Sequence, residues 1–316
     1  MREQIIVKMK FGSHLYGTDT PESDLDFKGV FMPTKEQVLL GKIPKAYSSN
    51  TKTDNESKNS KHDIDSEIYS LHYFLQLACE GQTVALDMLH APDNMLIKRS
   101  LLWYEIIKNR EKFYTRNLQA FIGYARKQAA KYGINGTRLN DAKRVIDYLK
   151  DYPGNLKLNT IWDSLPLGEH LRYIEDSPDG RRQYQVCGKK LQDTISIQFA
   201  LGIISKFYEA YGKRAILAAR NEGIDWKAIS HAFRAAYQTK QILEEGTITF
   251  PLSQAPFLLK LKLGQIDYQS QAAPMLDELM DEIELLSAKS QLPLKVDQKY
   301  WDNFLIRVVE NELFAN

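Results

Sequence analysis

The sequence predicts an α+β fold, with strands and short helices over residues 1–100 and a mostly α-helical part over residues 101–316. Three observations lead there. Apolar and polar side chains alternate in short N-terminal runs, as strands require. A Gly-Ser pair separates the first two runs. Beyond residue 70 the apolar spacing changes to steps of three and four, the mark of helices packed on one face.

The first strand is read from Ile5, Ile6, Val7, Met9 and Phe11, with Lys8 and Lys10 tolerated between them. Gly12-Ser13 then turns the chain into a short helix, where backbone N–H groups can meet an anion. A second strand runs from Ser23 to Phe31. Its alternation projects Asp24 and Asp26 to one side and Leu25 and Phe27 to the other. The polar stretch from Tyr47 to His62 lacks apolar periodicity and reads as a loop at the rim of the site. A third strand follows over His62 to Tyr69, with Asp63, Asp65 and Glu67 sharing one face.

From Leu71 the pattern is helical, through Phe74, Leu75, Leu77 and Ala78 to a stop at Gly81, and a second helix holds Val84, Leu86, Met88 and Leu89. Amphipathic helices are expected at Leu118–Tyr132 and Arg138–Leu149. Two β-prone runs between His170 and Cys187 flank Ser177-Pro178-Asp179-Gly180, a hairpin signal. Helices then follow at Leu191–Tyr211, Lys213–Glu222, Trp226–Glu245 and Met275–Ala288, the last with an apolar stripe at Leu276, Leu279, Met280 and Ile283.

Composition narrows the class. At 316 residues, 43% hydrophobic and 26% charged, the chain can bury a full core and has no signature of disorder. No signal peptide or membrane span is visible, so a cytoplasmic location and no membrane partner are expected. Cys79 and Cys187 sit in apolar surroundings and read as reduced, packed thiols rather than a disulfide framework. The net charge of +2 is unevenly spread. Lys and Arg number 12 against 14 Asp and Glu in residues 1–100, 24 against 14 in residues 101–240, and 6 against 12 in residues 241–316. A basic middle beside an acidic first segment favours a polyanionic substrate, although a solvated helical surface gives the same imbalance.

Two carboxylates projecting together repel each other, and a divalent cation relieves that repulsion. Hard oxygen ligands next to a phosphate cradle suit Mg²⁺. In the helical part, Lys227, His231 and Arg234 are spaced four and three apart on one helical face, which suits gripping a triphosphate or an acceptor backbone. Alternatively, Arg234 pairs with Asp225 or Glu244, and His231 is a satisfied core histidine. Lys28 shares a strand face with Asp26 and either neutralises the carboxylates or binds phosphate.

Together, Phe11-Gly12-Ser13, the interval to Asp24-Leu25-Asp26 and the later acidic strand resemble the signature of the DNA polymerase beta nucleotidyltransferase superfamily. Gly12-Ser13-His14-Leu15-Tyr16-Gly17, Ile68-Tyr69-Ser70-Leu71 and Asp225-Trp226-Lys227 with His231 and Arg234 resemble its predicted-nucleotidyltransferase branch, to which proteins associated with RNA ligases belong. Gln82-Thr83-Val84 departs from the Asn-Pro-Thr run usual there. The resemblance implies an N-terminal mixed sheet carrying catalysis and a helical domain that binds nucleotide and acceptor. It implies that Gly12 and Ser13 contact the β- and γ-phosphates of an NTP and that Asp24 and Asp26 hold two Mg²⁺ ions. A third carboxylate would activate the attacking hydroxyl. Asp65 is assigned that role and metal ligation, with Glu67 and Asp63 as alternatives on the same face. The expected reaction is transfer of NMP to a hydroxyl, with an RNA end in repair or tRNA processing as the acceptor and a functional link to an RNA ligase. Transfer to a small molecule or a protein, and a catalytically weak nucleotide-binding regulator, stand as the alternatives.

Overall fold

The structure is a computed structural model and describes residues 4–51, 63–116, 136–219 and 221–311. Its contacts divide the chain into two compact units. The first comprises Met1–Ala130, Asp225–Ile266 and Gln271–Asn316, and the second Lys131–Ile224 with Asp267–Ser270. The boundary expected at residue 100 therefore falls inside the first unit. The reason is packing: the helices after residue 225 belong with the N-terminal sheet rather than with the helices that precede them.

The first unit is built on strands β1 (Gln4–Lys10), β2 (Leu25–Met32), β3 (Ala46–Asn50), β4 (Ile64–Ser70) and β5 (Leu96–Arg99). They form one sheet in the order β3-β4-β2-β1-β5. β1 is antiparallel to β2 and β5, and β3 to β4, whereas β2 and β4 run parallel. The sheet is thus mixed, as expected, and the fold is α+β. Val7, Met9, Val30 and Phe31 are buried, and because Val30 and Phe31 are successive in β2 and project oppositely, both faces of the sheet are covered there.

Helices α1 (Gly12–Tyr16), α2 (Lys35–Leu39), α3 (Leu71–Cys79), α4 (Thr83–Leu89) and α5 (Leu101–Lys108) lie between and after these strands. α3 begins where Ser70 accepts a hydrogen bond from the Tyr73 N–H, a side-chain cap on an otherwise orphaned donor. It buries Leu71, Phe74, Leu75, Leu77 and Ala78, the set that its spacing predicts. Phe74 meets Trp103 of α5 with ring centroids 5.4 Å apart. The polar run Ala46–Asn50 is an edge strand rather than loop. It pairs on one side only and is largely exposed, so it needs no apolar alternation. The rest of that expected loop, and the expected helix at Leu118–Tyr132, lie outside the described residues.

In the second unit, α6 (Gly136–Lys150) and α7 (Ile197–Ala219) pack with a three-stranded sheet of β6 (Leu171–Ile174), β7 (Gln183–Val186) and β8 (Lys189–Gln192). β6 and β7 are the expected hairpin. Leu191 and Gln192, where a helix was expected to begin, instead end a third strand, Lys189–Gln192, which follows a tight turn at Cys187 and Gly188. α7 runs without interruption through Gly212, where two helices were expected. Glycine weakens a helix interior by only about 1 kcal/mol, which burial of Ile197, Ala200 and Ile204 along the same helix offsets.

The chain returns to the first unit with α8 (Trp226–Glu245), α9 (Ala255–Lys262), α10 (Ala273–Lys289) and α11 (Gln298–Val309). α8 is capped by Asp225, which accepts from the Ala228 N–H, and stops at Gly246 in a left-handed conformation. α10 buries Leu276, Leu279, Met280 and Ile283, the stripe read from its sequence. Both cysteines are free thiols. No described helix is long and apolar enough to cross a membrane.

Candidate metal and nucleotide site

The site begins with strand register. In the parallel pair β2–β4, Asp26 lies directly opposite Asp65, so their side chains emerge on one face of the sheet. Asp24, two residues before Asp26, adds a third carboxylate. One oxygen from each of Asp24, Asp26 and Asp65 lies within 4.8 Å of the others. Burial pushes the Asp26 carboxyl above its ordinary range, and repulsion from Asp24 and Asp65 pushes it further, while Lys28 and Lys227 oppose both.

Glu67 shares that face but has other work. Lys28 Nζ lies 2.6 Å from Glu67 Oε2, and the Tyr69 hydroxyl donates to the same oxygen at 2.5 Å. Burial alone would raise the Glu67 carboxyl, yet these two donors outweigh it and hold it below the usual value. Asp63 precedes β4 and its carbonyl accepts from the Leu25 N–H at 3.1 Å. It is not part of the three-carboxylate cluster.

The Gly-Ser turn lies against these acids. The Phe11 N–H donates to the Asp26 carbonyl at 2.8 Å, carrying the β1–β2 ladder one step past the strand end. Gly12 then adopts φ +62°, and a Cβ built there would fall 1.9 Å from Asp26 Oδ2. Only glycine lets the backbone approach the carboxylate this closely. The Ser13 Oγ is buried and has no hydrogen-bond partner among the described residues. An orphaned buried hydroxyl one residue after the glycine that packs on Asp26 fits a site shaped for a group the protein alone does not supply.

Bases face the acids from two helices. Lys227 opens α8 and its charge is felt at Asp26. His231, one turn further, is held below the ordinary imidazole value first by burial, then by Lys227 and Lys262. Lys262, at the end of α9, donates from Nζ to the Thr18 carbonyl at 3.1 Å. Burial and Lys227 lower its ammonium, and Asp24, Asp19 and Asp26 support it. Sequence reasoning missed Lys262, whose segment carries only the ordinary signal of a basic helix end.

Arg234, expected in the same grip, is instead turned into the core. Its Nη1 lies 3.2 Å from Asp87 Oδ2, and its Cζ sits 3.6 Å from the Tyr16 ring centroid. Seven residues of helix separate it from Lys227, a rise of about 10 Å, which takes it a full two turns away from the acids. The neighbours expected for it, Asp225 and Glu244, are not its hydrogen-bond partners; Asp87 is.

A mixed sheet whose parallel pair gathers three carboxylates behind a Gly-Ser turn defines the class: a nucleotidyltransferase of the polymerase beta type. The model of the family described as "RNA repair pathway DNA polymerase beta family" matches residues 2–152. A relative from Enterobacteria phage T4, named "Uncharacterized 38.9 kDa protein in nrdC-mobD intergenic region", is 40% identical over 325 residues, spanning 96% of each chain. Residues 2–152 thus carry the match to this nucleotidyltransferase family, and over 96% of its length the chain belongs to one family with the phage T4 protein. Among solved structures, a nucleotidyltransferase-like protein from Exiguobacterium sibiricum is similar over 90% of this chain and 69% of its own, at 8% identity and a TM-score of 0.25. That likeness adds nothing to the fold described above.

Proposed function

We propose that this chain transfers a nucleoside monophosphate from a nucleoside triphosphate to a hydroxyl at an RNA end. The observation that carries this reading is the convergence of Asp24, Asp26 and Asp65 to within 4.8 Å, with the backbone of Gly12 pressed against one of them. Three carboxylates at that separation fit two Mg²⁺ ions, which when bound would supply charge stabilisation to the entering and leaving oxygens of an in-line displacement.

The protein's own groups account for the remaining requirements. Asp24 and Asp26 hold the cations. Asp65, brought level with Asp26 by the parallel register, takes the proton of the acceptor hydroxyl. The Gly12 backbone and the Ser13 hydroxyl receive the β- and γ-phosphates. Lys227 and Lys262 meet the triphosphate from the opposite side, and His231, one turn beyond Lys227 on α8, feels the charge of both. The family's description as an RNA repair pathway group and the excess of Lys and Arg over residues 101–240 favour RNA as the acceptor.

Incubation with Mg²⁺, labelled NTPs and RNA bearing free hydroxyl ends tests this. Labelled, lengthened RNA is the expected product, and Asp24→Ala with Asp26→Ala should abolish it. Label appearing in a small molecule or in protein would move the acceptor assignment. Transfer that survives the double substitution would refute the metal site itself.

A further inference from the structure

We propose that Asp87 is a positioning residue for the nucleotide site: from within the core it fixes helix α1, which carries Gly12 and Ser13, against helix α8, which carries Lys227 and His231. The inference rests on the reading of those residues as the two sides of a triphosphate cradle.

Asp87 lies in the middle of α4 among Leu86, Met88 and Leu89 and is fully buried. A carboxylate there is costly unless partners surround it. It has three. The Tyr16 hydroxyl donates to Oδ2 at 2.7 Å, Arg234 Nη1 lies 3.2 Å from the same oxygen, and Gln238 Nε2 donates to Oδ1 at 2.7 Å. Burial pushes the Asp87 carboxyl up and the Arg234 guanidinium down to about 9, so the cation persists at neutral pH. The Gln238 hydrogen bond acts against that rise in the Asp87 carboxyl, and Arg234 and the Tyr16 hydroxyl supply the other partners of its oxygens.

The partners come from two different elements, and both also bear on the site. Tyr16 is the last residue of α1, three residues after Ser13. Arg234 and Gln238 lie on α8, where Lys227, His231, Arg234 and Gln238 follow at steps of four, three and four along one stripe. One end of the stripe faces the acids and the other faces Asp87. Rotation of α8 about its axis would move all four together. The arrangement is braced elsewhere: Ser230 Oγ donates to the Leu258 carbonyl at 2.9 Å, tying α8 to α9, and Lys262 at the end of α9 returns to Thr18 just after α1. A Cβ on Gly17, between Tyr16 and Thr18, would fall 2.8 Å from Pro251 Cβ, so the exit of α1 is fixed as closely as its start.

Replacing Asp87 itself risks unfolding, so the test removes one hydroxyl. Inorganic tripolyphosphate with MgCl₂ probes the cradle without regard to the base. Its binding is measured by calorimetry on the full chain for wild type, Tyr16→Phe, Lys227→Ala and the double variant. Tyr114→Phe, which deletes a buried hydroxyl bonded to His90 at 2.6 Å elsewhere in the same unit, serves as the control, and thermal unfolding is followed throughout. Positioning predicts that Tyr16→Phe weakens binding about fivefold and Lys227→Ala about tenfold, with the double variant close to tenfold rather than the fiftyfold of independent sites. Tyr114→Phe should lower the melting temperature and leave binding unchanged. If Tyr16→Phe behaves as Tyr114→Phe does, or if its effect multiplies with that of Lys227→Ala, the proposal is overturned while the cradle stands. If the wild type does not bind tripolyphosphate, the cradle fails and the positioning role fails with it.

Discussion

Replacing Asp26 by Asn should stabilise the metal-free protein while destroying its response to Mg²⁺. Two unit charges within 4.8 Å of each other repel by at least about 3.5 kcal/mol at an effective dielectric of about 20. The cluster is only half buried, and Lys28 and Lys227 act against the repulsion, so about 1 kcal/mol is the net relief expected from one neutralised carboxyl. The sign follows from the direction of the shift. A carboxyl whose folded value is raised favours the native state when protonated, and that stability is lost as pH rises through the raised value; asparagine restores it. In EDTA at neutral pH the variant should therefore melt about 2 °C above wild type. Adding Mg²⁺ at ten times its dissociation constant should stabilise wild type by about 1.4 kcal/mol and reverse the order. Differential scanning calorimetry in the two buffers reads both effects. Equal stabilisation of the two proteins by Mg²⁺, or a variant that melts lower in EDTA, would refute the account of this cluster as a cation site.

Gly12→Ala should cost about 1–2 kcal/mol in stability from its left-handed conformation alone, and it should also abolish transfer, because the new methyl group occupies the place of the Asp26 carboxylate. Unfolding midpoints and turnover with labelled NTP measure the two consequences separately. Away from the site, His90 sets an acid limit on stability. Its Nδ1 lies 2.7 Å from the Leu86 carbonyl and its Nε2 2.6 Å from the Tyr114 hydroxyl, so the neutral ring donates to the carbonyl and accepts from the tyrosine. Burial lowers its pKa from 6.5 to about 4. Stability should fall by about 3 kcal/mol as pH drops through that window, because the unfolded chain takes up the proton first. A denaturation series in which His90→Gln shows the same slope as wild type would contradict this.

How much of this could be read beforehand depends on how local each signal was. The Asp24 and Asp26 pair is visible because strand alternation alone places both side chains on one face. The Gly-Ser turn is visible because glycine punctuates an apolar run. Asp65 could be chosen over Asp63 and Glu67 only through the resemblance, since the level of Asp26 on its parallel neighbour depends on a register that no local pattern encodes. Helical spacing put Arg234 on the same face as Lys227, which is correct, but a face is long, and what waits at its far end is a carboxylate concealed in an apolar helix. Asp87 is a single polar residue in an apolar helical run, and nothing in that run signals its partners. β3 and β8 escaped for a related reason: short strands at sheet edges are held by backbone pairing and carry little hydrophobic alternation.

The return of the chain to its first compact unit after residue 225 governs how the enzyme comes into being. Residues 2–152, the span that the family model recognises, contain every carboxylate of the cluster but neither Lys227, His231 nor Lys262. On the ribosome the acidic half is finished long before its basic counterpart emerges. Until α9 has been synthesised, the nascent chain holds the three carboxylates without Lys227, His231 and Lys262 to face them. An excised N-terminal fragment would be left in that same half-made state.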